Sequence, residues 1–198
     1  MIAVVTSPAG IDQQDCHELS FDDIHIYKSQ PQRSQNRTQT KLPIAVMIIT
    51  EEQQQTSDLD WFCVDSAGLI GHFASAGFKR IPPSVACSGE DLDVLTSFFL
   101  QLRPLSSGHE LDAHLPPNCR SARYLQSFVS MARRGLFSFD IDSYLKPDIC
   151  YFRVALPLQP LRISELPDHV RTILTRTELK EMSFADSSTI PYAVTLSL

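Results

Sequence analysis

Asp60-Trp61-Phe62-Cys63-Val64-Asp65-Ser66-Ala67-Gly68-Leu69-Ile70-Gly71-His72-Phe73 decides the fold class. Trp61, Phe62 and Val64 bring aromatic and β-branched character, which suits a pleated, buried surface. Ser66-Ala67-Gly68 offers a loop in which Gly68 takes φ > 0, and Leu69, Ile70, His72 and Phe73 resume the extended pattern. The stretch therefore reads as two strands joined by a tight turn, with the one tryptophan of the chain expected in the core rather than at an interface.

Downstream, the period changes from two to between three and four. Ser88 stands three residues before Asp91, with Glu90 and Asp91 placed to suit the positive end of a helix. Leu92, Leu95, Phe98, Phe99 and Leu102 then form one apolar stripe, and Pro104 ends it. A second helix is expected from about Pro117-Asn118, with Tyr124, Leu125, Phe128, Val129 and Ala132 inward. Arg133 and Arg134 suit its negative end, and Gly135 its left-handed cap. Leu136 to Asp140 and Ile149 to Leu156 read as strands around a turn, Ser164 as the cap of a short helix near Leu166-Pro167, and Tyr192 to Leu196 as a last edge strand. Glu51 to Ser57 reads as a polar loop, and the pattern predicts a break around Ala76-Gly77 and Pro82-Pro83. The sum is a single α+β domain over residues 42–198, with a central mostly antiparallel sheet of about five strands and about three helices.

Residues 1–41 differ. Ser29 to Lys41 contains no large apolar residue and no acid, while Lys28, Arg33, Arg37 and Lys41 are basic. Such a tract buries too little surface to offset its ordering entropy, so a poorly packed extension or linker is expected, with short strands at Ile2–Thr6 and Asp22–Tyr27. Met47 offers an alternative start.

A net charge of -6 disfavours binding to a phosphate backbone and suits solubility or a basic protein partner. The chain has five cysteines, Cys16, Cys63, Cys87, Cys119 and Cys150, with no Cys-x-x-Cys pair, which points to a reducing cytoplasm. No apolar run approaches the roughly 18 residues of a membrane span. The expected location is cytoplasmic, with neither nucleic acid nor membrane as partner.

The search for chemistry returns little. His109 and His114 are five apart, roughly 140° around a helix, so they diverge where a zinc-protease motif needs one face. Ser106-Ser107-Gly108 and Pro116-Pro117 make that region a surface loop. Gly-x-Ser-x-Gly, Gly-x-x-x-x-Gly-Lys and Gly-x-Gly-x-x-Gly are all absent. Asp58, Asp60 and Asp65 around the hairpin, and Asp140, Asp142 and Asp148 around the later turn, serve either acid–base work or turn formation. His72 reads as a structural histidine. No catalytic residue, cofactor or metal is assigned, and the chain is read as a non-enzyme.

Two blocks carry a family resemblance: Asp58 to Gly77, with Asp-x-Asp-Trp-Phe, Asp-x-x-Gly-x-Ile and Phe-x-Ser-x-Gly, and Ala132 to Asp140, followed by Tyr151 to Pro157, Pro160-Leu161 and Leu166-Pro167. Together they resemble an uncharacterised bacterial family whose members are similar to the immunity proteins of polymorphic toxin systems. The resemblance implies a protein that binds and blocks a cognate toxin. An acidic face of Asp58, Asp60, Asp65, Glu90, Asp91 and Asp93, with Phe78 as apolar anchor, is the expected contact surface. The alternative is a small enzyme or ligand-binding domain built on the carboxylates near the Trp61 hairpin and the Asp140–Asp148 turn, with His72.

Overall fold

The computed structural model describes residues 47–77, 80–142 and 149–198. The expected extension 1–41, Phe78 and Asp148 lie outside the described residues. In chain order the described elements are α1 (Glu51–Thr56), β1 (Asp60–Asp65), β2 (Ile70–Ala74), α2 (Pro83–Ala86), α3 (Gly89–Gln101), β3 (His109–Leu111), α4 (Ala122–Arg133), β4 (Phe137–Ile141), β5 (Cys150–Pro157), α5 (Asp168–Leu174), β6 (Glu178–Leu179), β7 (Thr189–Pro191) and α6 (Tyr192–Thr195). Short 3-10 turns at Pro117–Cys119 and Ile163–Glu165 complete them.

The fold is α+β, and its sheet is mixed. Six strands run in the order β3-β5-β4-β2-β1-β6, and β7 pairs β5 beside β3. β1–β2, β4–β5, β3–β5 and β5–β7 are antiparallel, whereas β2–β4 and β1–β6 are parallel. The expected five-strand, three-helix count falls short because β3, β6 and β7 span only two or three residues each, and the short helices carry no apolar stripe.

The Trp61 hairpin forms as expected, with Gly68 at φ 75 in its turn, and its register sets Trp61 opposite Phe73. Every residue of β1 after Asp60, and all of β2, is buried, because both faces of the sheet are covered. On one face Trp61 stacks on Phe73 at 4.2 Å and Phe73 on Phe139 at 4.8 Å, and the Phe184 ring closes the cluster. On the other, Phe62 meets Phe99 of α3 and His72 meets Phe128 of α4, while α5 packs on α3 and β1.

Ser88 caps α3 through the Asp91 amide at 3.1 Å, as the spacing predicts. The second long helix starts later than expected, at Ala122, capped by Ser121, because the two prolines before Asn118 first set a 3-10 turn. Gly135, at φ 95, follows its C-terminus.

Four local expectations are corrected. Glu51–Thr56 is a helix, not a loop: Thr50 Oγ1 accepts from the Gln53 amide, Gln53 Oε1 accepts from the Thr50 amide, and buried Gln54 binds Ile49 O and the Ile81 amide. His109–Leu111 is an edge strand on β5. Ser164 lies in the 3-10 turn, and α5 begins at Asp168 after Pro167 without a side-chain cap. The last strand is Thr189–Pro191; after Pro191 the backbone turns into α6, not onward through Leu196.

Candidate functional site

Register collects the acids at one end of the sheet. Asp60 pairs with Ala74, Ala74 with Asp140, and Asp140 with Phe152, which makes one cross-strand row. The next row is Phe62, His72, Ser138 and Ala155. Side chains in both rows project to the face covered by α3 and α4, since alternate residues share a face.

His72 is fully buried in the middle of this arrangement. Its Nδ1 lies 3.3 Å from Ser138 Oγ and its Nε2 3.2 Å from Asp60 Oδ2. The second contact is close without the alignment of a hydrogen bond. Ser138 Oγ donates to the Phe128 carbonyl at 3.1 Å, so the hydrogen of the His72–Ser138 contact belongs to Nδ1. Serine, histidine and aspartate thus stand in line, yet the imidazole is not set to take the Ser138 proton, and Ser138 is itself fully buried. The His72–Ser138 contact ties β2 to β4, and the Asp60 carboxylate of β1 lies beside the imidazole.

Asp140 sits diagonally from His72 and accepts from the Tyr124 hydroxyl of α4 at 2.5 Å. Burial raises the Asp140 carboxyl above its ordinary value; the Tyr124 hydroxyl and the Ile141 amide oppose this, Asp58 adds to it, and His72 opposes it. The Tyr124 hydroxyl is pushed well up by burial and then by Asp140. The Asp58 carboxyl is also raised, by partial burial and by the nearby Asp60, against the Ala76 amide and His72.

The acids expected on one face divide. Asp58 and Asp60 belong to the sheet end just described. Asp65 does not present itself at all: it is 1% exposed, and its carboxylate accepts from the amides of Ala67, Leu69 and Phe184 at 2.9, 2.8 and 2.8 Å. Charge placed where backbone donors need satisfaction is structural, so Asp65 leaves the contact set. Glu90 and Asp93 lie exposed on α3, whereas Asp91 turns to an ion pair with Arg176. Phe78, the expected anchor, lies outside the described residues.

Two concavities flank the acids. One, of about 590 Å³, runs between α1 and α3, with Ile49, Leu59 and Leu92 as apolar lining, Asp93 on one wall and Ser57 on the other. Met47 and Ile48 border it, 61% and 66% exposed. The other, of about 460 Å³, lies near β5 beside Asp140 and Tyr124 and is lined by Phe152. At its back, buried Asp112 accepts from Arg153 Nε at 2.8 Å, and Arg153 also donates to the carbonyls of Phe184 and Ala185 at 2.6 and 2.9 Å. Burial would raise Asp112; the His114 amide and the Arg153 guanidinium outweigh it and hold the carboxyl below its ordinary value.

Sequence reasoning missed Tyr124 and the Asp112–Arg153 pair. Tyr124 occupies a core-facing helical position and reads as apolar. Arg153 did carry a signal, since a charge inside the apolar run Tyr151 to Pro157 requires a buried partner. Among the described residues, no group of three or more His, Cys, Asp and Glu side chains is arranged to hold a metal ion, and no helix is long and apolar enough to cross a membrane. Comparison with family models, curated proteins and solved structures found no match for the chain.

Proposed function

We propose that the chain is a cytoplasmic protein-binding module that engages a basic partner, a cognate bacterial toxin, along the acidic margin of Asp58, Asp60, Glu90 and Asp93. The observation that carries this reading is the groove between α1 and α3. It has an apolar lining of Ile49, Leu59 and Leu92, with Asp93 on one wall and Ser57, next to Asp58, on the other. An exposed apolar surface rimmed by charge of one sign is the usual layout of a recognition surface. The charges speed encounter with an oppositely charged partner, and the apolar lining supplies a pocket for its anchor. The two sequence blocks that resemble immunity-like proteins supply the toxin as partner.

The test is co-expression with the toxic product of a neighbouring gene. The wild-type chain rescues growth and co-elutes with that product in gel filtration. Asp93→Lys, exposed in the free chain, slows association at least tenfold at low salt and abolishes rescue while leaving thermal unfolding unchanged. A wild-type chain that neither rescues growth nor co-elutes defeats the reading.

A further inference from the structure

The cleft near β5 is separate from the groove between α1 and α3; Asp60 and Asp140 share one cross-strand row, and Asp58 stands near enough to act on the Asp140 carboxyl. We propose that this cleft receives a single basic side chain, lysine or arginine, of the protein partner, which inserts with its aliphatic stem along Phe152 and its cationic head against Asp140. The inference rests on the partner reading above and adds a defined subsite to it.

Four observations carry it. First, the cleft is a real concavity of about 460 Å³, ample for one long side chain. Second, the Arg153 guanidinium, the one Lys or Arg head among the described lining residues, is held by Asp112 and by two backbone carbonyls. Third, the bonds made to Asp140 come from neutral donors, the Tyr124 hydroxyl and the Ile141 amide. A carboxyl held half-buried between neutral donors gains most from a cation brought up to it. Fourth, the walls beside that carboxyl are aromatic, Tyr124 and Phe152, and ring faces attract ammonium and guanidinium groups. Burial disfavours the charged form of Asp140, and an incoming cation favours it, so binding lowers the proton affinity of that carboxyl.

The experiment uses the full chain and Nα-acetyl-arginine amide as probe, with Nα-acetyl-citrulline amide as its neutral isostere, followed by amide chemical shifts. The arginine probe gives saturable shifts at Tyr124, Asp140 and Phe152, and the citrulline probe binds at least tenfold more weakly. Asp140→Asn keeps an acceptor for Tyr124 and lowers affinity for the arginine probe about tenfold, whereas Asp93→Lys, outside the cleft, changes it less than twofold. Equal binding of the two probes, or no saturable shift on the wild-type chain, overturns the subsite whatever the variants do. Spermidine bound more tightly than the arginine probe, with growth rescue intact in Asp140→Asn, assigns the cleft to a free amine and also overturns it. Probe binding through Asp140 in a chain that rescues no growth refutes the toxin reading while leaving the cation site standing.

Discussion

The Asp65 carboxylate accepts a hydrogen bond from the Phe184 amide at 2.8 Å, joining residues 119 positions apart. The same carboxylate closes the turn at Ala67 and Leu69, and the Phe184 ring lies against Phe73, Phe137 and Phe139. One buried charge thus fixes both the hairpin turn and the segment that roofs the aromatic face. Asp65→Ala leaves three amides without this acceptor, and hydrogen bonds to a charged group are worth about 1.5–3 kcal/mol each before solvent and relaxation compensate. The expected loss is about 3 kcal/mol in urea unfolding, with no change in probe or partner affinity where the chain remains folded. A loss under about 1 kcal/mol contradicts the assignment.

At Gly71 that roof comes close to the sheet. A Cβ there would stand 2.6 Å from a Phe73 ring atom and 2.9 Å from Phe184. Neither ring has space to retreat in a packed aromatic cluster, so Gly71→Ala should cost about 1–3 kcal/mol. Thermal unfolding of Gly71→Ala and of the double variant Gly71→Ala/Phe184→Leu checks the cause: removing the clashing ring should return part of the loss.

Trp61 gives the core its own reporter. The indole is fully buried, stacked on Phe73, and its Nε1 donates to the Tyr151 hydroxyl at 3.2 Å. Tyr151→Phe leaves that N–H unpaired among apolar groups, a cost of about 1–2 kcal/mol. The tryptophan emission of the folded variant should stay as blue as that of the wild type, because the indole keeps its dry surroundings. A red-shifted emission before unfolding would show that the hydroxyl instead positions the ring.

The elements legible in the sequence are those in which a period runs long enough to show. The Trp61 hairpin, α3, α4, β4 and β5 each carry an alternation or a stripe over five or more residues. β3, β6 and β7 do not, because two or three residues cannot display a period, and their pairing depends on β5 and β1 being in place. α1 was hidden by its polarity: its signal is the Thr50-Glu51-Glu52-Gln53 capping box, not an apolar stripe. At the site, Asp58, Asp60, Asp140 and His72 were each legible as candidates, but not their convergence. That follows from the parallel pairing of β2 with β4, a contact made across α2, α3, β3 and α4 that no local pattern encodes. Asp65 misled for the opposite reason, since an acid beside a turn looks exposed until its three amide donors are seen.

The Asp112–Arg153 pair should contribute to the acid side of the stability profile. The Asp112 carboxyl is held below its ordinary value of 3.8, so its contribution is complete above that value. As pH falls through the lower folded value, the carboxyl protonates and the contribution is lost. Asp112→Asn leaves Arg153 buried with its charge uncompensated, an expected loss of about 3 kcal/mol at pH 7. Urea unfolding from pH 2 to pH 7 should show the difference between wild type and variant shrinking below pH 4. A constant difference across that range would mean that the pair contributes through packing alone.

Asp140 should behave with the opposite sign. Its carboxyl is raised, first by burial and further by Asp58, so the folded chain holds this proton to higher pH than the unfolded chain does. Stability from this group is therefore greatest below the ordinary value of 3.8 and falls as pH rises toward the raised folded value. Asp140→Asn cannot ionise, yet its side-chain oxygen still accepts from Tyr124. Relative to wild type, the variant should gain stability as pH rises from the ordinary value of 3.8 toward the raised folded value and keep that gain above it, which is the reverse of the Asp112→Asn trend. Difference curves of urea midpoint against pH read this directly, because every other titrating group is common to both chains. If the two variants trend in the same direction, the groups do not titrate as their surroundings require, and the argument for a cation-seeking carboxyl at the cleft weakens with them.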